Sequence, residues 1–139
     1  MTLVTRPVLP IEGAREAARR AIALAAERGL KVAIAVVDEG GRLLYFERMD
    51  GVPWGSGEVA MGKAVSAAAY RRDTLVFDDR LTGGRHAVLG QPFAFPIQGG
   101  IALTLRGECV GGIGASGAKA SEDTELCIAA AQVLEKFDA

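Results

Sequence analysis

Histidine, cysteine and tryptophan are scarce in this chain, and their scarcity removes whole classes of chemistry. One histidine and two cysteines in 139 residues cannot furnish the three or four convergent ligands of a zinc centre. Cys109 and Cys127 are also too few for a disulfide framework, so both are expected as buried small hydrophobes in a reducing compartment. Charge of one sign is lacking too: 16 basic against 17 acidic residues leave a formal net charge of −1. That balance offers a polyanion no long-range field, and no basic stripe interleaved with aromatics occurs, so nucleic acid is not an expected partner. No apolar run reaches membrane-spanning length, and Met1 to Pro10 lacks the apolar stretch of a signal peptide. The expectation is a cytoplasmic protein without a membrane partner.

What is present is an ordinary globular composition, 50% hydrophobic and 24% charged, long enough for a real core and fitting one domain over residues 1–139. Pro10 suits a first helical position. After it, Ile11, Ala14, Ala18, Ala21, Ile22 and Ala25 recur at helical spacing, so a helix is expected to about Arg28 with Gly29 as its stop. Its polar face carries Glu16 and Arg20 at pairing distance. Lys31 to Asp38 alternates Val32, Ile34 and Val36 with Ala33, Ala35 and Val37, apolar on both faces. Such a strand needs cover on both sides. A turn at 38–41 leads to a second strand over Arg42 to Met49.

Ser56 is placed to cap a second helix, running to about Arg71, whose many small residues would let another backbone approach closely. A short helix should begin near Asp73-Thr74. The stretch from Thr82 to Gln98 lacks periodicity and is long enough to be a functional loop. A second hairpin follows, with arms Ile101 to Leu105 and Cys109 to Ala115 turning at Arg106-Gly107. The last helix starts near Ser121 and should bury Leu126, Ala130, Val133, Leu134 and Phe137. Two hairpins and flanking helices give an α+β chain with a central antiparallel sheet covered on both faces.

Two glycine motifs need weighing. Gly57 to Ala64 almost spells a phosphate-binding loop, but Ala64 replaces the hydroxyl residue that would hold Mg²⁺ and the segment scans as helix. Gly112-Ile113-Gly114-Ala115-Ser116-Gly117 matches a dinucleotide fingerprint, yet too little chain follows for a second strand. Its glycines, at a strand-to-helix corner, offer N–H groups to a carboxylate or phosphate, or simply make a tight turn. His86 beside Arg85 is either an exposed loop imidazole, a general base, or an axial ligand to iron. Lys63, among alanines and glycine, either binds an anionic ligand or pairs with Asp38 or Asp123. Spacing supports no Ser-His-Asp arrangement around Ser116.

Four segments together resemble a known family. They are Val36-Val37-Asp38-Glu39-Gly40-Gly41 with Arg48-Met49-Asp50-Gly51, Lys63-Ala64 with Ala67-Ala68, Gly99-Gly100, and Gly111 to Gly117 ending at Asp123. In this order and spacing the chain resembles the GlcG/HbpS/PduO C-terminal-domain family, also called heme-degrading-domain-like. The resemblance implies a profilin-like three-layer α/β/α sandwich and self-association into a homo-oligomer, for which the small-residue helix offers a surface.

It also implies a small-molecule ligand, with heme or another tetrapyrrole the named cofactor candidate. The candidate ligand-binding residues are Asp38, Arg48, Lys63, Arg85, His86, Ser116 and Gly117, with His86 the candidate for iron. Two other functions stay open. One is a small catabolic isomerase, lyase or hydrolase of a carboxylated metabolite, with Lys63 or Arg48 on the carboxylate and His86 or Asp38 moving protons. The other is an oligomeric assembly module without pocket chemistry.

Overall fold

The computed structural model describes residues 1–138. Its elements run α1 (Ile11–Glu27), β1 (Ala33–Asp38), β2 (Leu43–Arg48), α2 (Trp54–Tyr70), α3 (Leu75–Thr82), β3 (Gly100–Leu105), β4 (Glu108–Ser116) and α4 (Ala120–Gln132). Short 3₁₀ turns occupy His86–Gly90 and Val133–Phe137. The two hairpins join through β1 and β4, giving one antiparallel sheet in the order β2-β1-β4-β3. The chain is α+β, with helices on both faces of that sheet.

The alternation in β1 assigns the two faces. Val32, Ile34 and Val36 turn toward α1 and α4, where they meet Ala14, Ala18, Ala21, Leu126 and Ala130. Ala33, Ala35 and Val37 turn toward α2 and meet Ala60, Ala64 and Ala68. Gly29, at φ +70, stops α1 as expected, and the following Leu30 N–H returns to the Ala25 carbonyl at 2.8 Å. The β3–β4 hairpin turns on Arg106 and Gly107, both with positive φ, the pairing of torsions that matches strand twist.

Several expectations need correction. α2 starts at Trp54 with Pro53 at its cap, and the Ser56 N–H bonds the Pro53 carbonyl at 3.0 Å. Ser56 is thus inside the first turn, because Pro53 already holds the extended torsions a cap requires. Glu16 reaches Lys136 across to the C-terminal turn instead of its helical neighbour Arg20. α4 tightens into a 3₁₀ turn at Val133, which leaves Leu134 buried but Val133 and Phe137 only half-buried.

The small residues of α2 do allow a close backbone approach, but the backbone is that of this same sheet. A Cβ on Gly112 would lie 2.2 Å from the Ala64 carbonyl oxygen, and one on Gly114 would lie 2.2 Å from that of Ala60. At Gly100 the clash would be with the Lys63 carbonyl oxygen, at 2.6 Å. The inner face of α2 is therefore spent inside the protein and is no interface for a second copy. Gly112→Ala and Gly114→Ala should each cost about 3 kcal/mol or more by urea unfolding. Gly55→Ala, which meets nothing within 4 Å, should be neutral or gain up to about 1 kcal/mol. A loss below about 1 kcal/mol for both strand variants would contradict this packing.

Candidate ligand site

Lys63 is carried by the inner face of α2 and is 1% exposed. Its Nζ donates to the Ala115 carbonyl at 2.8 Å and to Asp123 Oδ2 at 3.4 Å. Asp123, 2% exposed at the start of α4, also accepts the Ala118 N–H on Oδ1 at 3.3 Å. Gly99 makes room for this pair, since a Cβ there would sit 2.7 Å from the Lys63 ammonium. Burial raises the Asp123 carboxyl to about 6, against the opposing pull of Lys63 and the Ala118 N–H. Next to them Cys127 is fully buried, its thiol donating to the Gly99 carbonyl at 3.4 Å, and burial pushes that thiol up as well.

The glycine corner thus receives a carboxylate, but the carboxylate is the chain's own. The ammonium group lies against the bend, as a ligand site would require, yet both of its oxygen partners are internal and the pair is sealed from solvent. Of the pairings open to Lys63, the structure selects Asp123.

Ser116 and Gly117 flank this pair, between the Ala115 carbonyl that Lys63 reaches and the Ala118 N–H that Asp123 accepts, whereas Asp38, Arg48, Arg85 and His86 are not among its hydrogen-bond partners. Asp38 closes the β1–β2 turn, its Oδ1 accepting the N–H groups of Gly40 at 2.9 Å and Arg42 at 3.0 Å. Ser116 and Gly117 lie at the opposite end of the sheet, since β4 pairs Gly111 with Asp38 and Ser116 with Ala33. Five residues of strand put about 16 Å between those ends. Arg48 is exposed and shares the Ala33 row with Ser116, two strands away. Arg85 and His86 are exposed at the start of the 3₁₀ turn after α3.

A concavity exists elsewhere, on the outer face of α2. Residues 91–97 cross that helix as a strap. Phe95 N–H donates to Ser66 Oγ at 3.0 Å, the Tyr70 hydroxyl donates to the Pro92 carbonyl, and the Phe95 ring lies against Gly62. Between strap and helix opens an apolar trough of about 340 Å³, lined by Met61, Val65, Phe93, Ala94 and Phe95 with Glu58 at its rim. It adjoins a cavity of about 160 Å³ that shares Val65 and Phe93 and is closed by the 39–42 turn, including Arg42.

Phe93 is 72% exposed and holds φ +66, a torsion costly for an aromatic residue and concentrated at functional sites. Met61, Val65, Phe93, Phe95 and Arg42 were not singled out from sequence. The available signals were Met61 and Val65 at helical spacing, and two phenylalanines bracketed by Pro92 and Pro96 in the aperiodic stretch.

The buried pair makes two measurable demands. Lys63→Met, leaving Asp123 unpaired, should cost about 3–5 kcal/mol at neutral pH, whereas Lys63→Met/Asp123→Leu should recover much of that loss. The folded carboxyl titrates near 6 against 3.8 for an unperturbed one, so between those values the folded state binds the extra proton and stability falls as pH rises. Urea unfolding from about pH 4 to about pH 7 should therefore show wild type losing ground to the double variant, by at most about 1.4 kcal/mol per pH unit.

Comparison with known proteins places this geometry. The family described as "Haem degrading protein HbpS-like" matches residues 9–132. Protein GlcG of Escherichia coli K12 is 33% identical over 105 residues, 76% of this chain and 78% of that protein. A crystal structure of a double mutant of Streptomyces reticuli HbpS superposes with a TM-score of 0.86 at 33% identity, covering 95% of this chain and 90% of that one. A crystal structure of PduOC in complex with heme superposes with a TM-score of 0.83 at 25% identity, covering 91% and 95%. The chain belongs to the HbpS-like haem-degrading-protein family.

Proposed function

We propose that this protein binds a small, flat, largely apolar ligand in the trough on the outer face of α2, with heme or another tetrapyrrole as the ligand. The carrying observation is the trough itself: an open apolar trough of about 340 Å³ beside a smaller cavity that shares Val65 and Phe93 with it, within the usual size of ligand sites. Heme in a structural relative supports the choice of ligand. Phe93 and Phe95 offer ring faces, Met61 and Val65 form the floor, and Arg42 stands where a carboxylate of the ligand would pair. Asp38 serves this site by holding the turn that carries Arg42.

The lining offers apolar and aromatic groups of the kinds a porphyrin packs against, and His86 lies outside it. The Met61 thioether lies in the trough, and His86, the one imidazole, stands at the head of the segment that becomes the strap; both are ligand types that heme iron accepts. Arg85 and Arg48, both exposed, are the further cations available to acidic groups of the ligand. Self-association belongs to the same proposal: Trp54 is 74% exposed, one turn before the Gly57 that the Phe46 ring touches on edge strand β2. Sedimentation at micromolar concentration should give a mass above the 14.5 kDa of one chain.

Titration with hemin, followed by its absorption band, tests the ligand. Wild type should saturate at a stoichiometric ratio. Phe93→Gly removes the ring while relaxing the left-handed backbone, so folding is preserved, and affinity should fall about tenfold or more. Absence of a saturable band, or wild-type affinity in both Phe93→Gly and Val65→Asp, would overturn the site. An unaltered band position in His86→Ala would remove that imidazole from the iron.

A further inference from the structure

A second cavity, of about 430 Å³, opens between the N-terminal segment and the β3–β4 hairpin, and shares no residue with the trough. Its polar lining is Thr5, Arg6, Arg71, Thr104, Glu108 and Cys109. Neither arginine has an acidic partner within 4.0 Å among the described residues. Elsewhere on this chain, cations such as Arg15, Arg28 and Lys136 do find carboxylates.

Arg6 and Arg71, both exposed, line the same hollow, and each carries a fork suited to carboxylate or phosphate oxygens. Arg71 is notable for its backbone too. It ends α2 at φ 54, a left-handed position that glycine or asparagine fills without strain. The helix dipole accounts for a cation at that end, but not for a second cation brought to the same cavity by a different segment.

We infer that this cavity is a subsite for a small organic anion, a carboxylate or a phosphate monoester. Arg6 and Arg71 grip the anionic oxygens, and the Thr5 and Thr104 hydroxyls add neutral hydrogen bonds. Glu108, on the same lining, repels a ligand that is anionic at both ends and accepts from one carrying a hydroxyl or ammonium group. The subsite thus favours a short polar molecule with one acidic end, a chemistry the apolar trough does not serve.

The chain carries its own reporter. Cys109 is half-buried on the cavity wall, while Cys127, its only other cysteine, is fully buried. Labelling the native protein with a neutral maleimide should therefore modify Cys109 alone, as peptide mass mapping would establish. Inorganic phosphate and lactate, a monocarboxylate with one hydroxyl, are the probes, each against sodium chloride of matched ionic strength. At least one should slow Cys109 labelling saturably, by about threefold or more, where chloride does not.

Protection by phosphate alone identifies the phosphate class, and protection by lactate alone identifies the carboxylate class. Arg6→Gln/Arg71→Gly should abolish protection, scored as the ratio of labelling rates with and without the anion in that same variant, with thermal unfolding near wild type, since glycine relaxes the strained position. No saturable protection by either anion, or protection that survives in the double variant, would overturn the subsite. Hemin binding by the trough is a separate readout, so failure of one site leaves the other standing.

Discussion

The contact between the backbone of α2 and the glycines of β3 and β4 governs the rest of this structure. Helix carbonyls of Ala60, Lys63 and Ala64 sit where side chains on Gly114, Gly100 and Gly112 would otherwise be. Seating a helix this deeply brings whatever its inner face carries into the interior. Most of that face is alanine, which costs nothing to bury. Lys63 is the exception, and its burial is bearable only because the strand-to-helix corner supplies a carbonyl and a carboxylate at its tip.

That arrangement explains why scattered short motifs occur together. Lys63-Ala64, Gly99-Gly100, the run from Gly111 to Gly117, and Asp123 lie far apart in the chain but meet around one ammonium group. Gly99 leaves space for the ion pair, Gly100, Gly112 and Gly114 leave space for the helix, and Asp123 closes the site while occupying the Ala118 N–H. The constellation resembles catalytic machinery in composition: a lysine, an acid of raised pKa and a cysteine. Its lack of access gives it a different role. It is a polar lock that fixes α2, the sheet and α4 in one register.

Fixing α2 from inside leaves its outer face to do something else. Met61 and Val65 lie on the flank of α2, partly buried against the β1-side cluster, and the strap carrying Phe93 and Phe95 is tied to the helix by Ser66 and Tyr70. One side of the helix is committed to the sheet, and the other, with the strap, walls the trough.

The hairpins, the two-faced alternation of β1, the α1 stripe, the Gly29 stop and the α+β class were legible from residue order because each depends on local periodicity and turn chemistry. The pairing of β1 with β4 was not, because it joins strands separated by most of the chain. Sequence could name Lys63, Asp123 and the glycine corner as unusual, but could not say whether the ammonium faced a cavity or its own carboxylate. That choice depends on how deeply α2 sinks onto the sheet, a distance set by side chains absent from strands remote in sequence. The trough eluded sequence for the same reason: its walls come from two separate segments, and only tertiary packing decides which apolar residues are left uncovered.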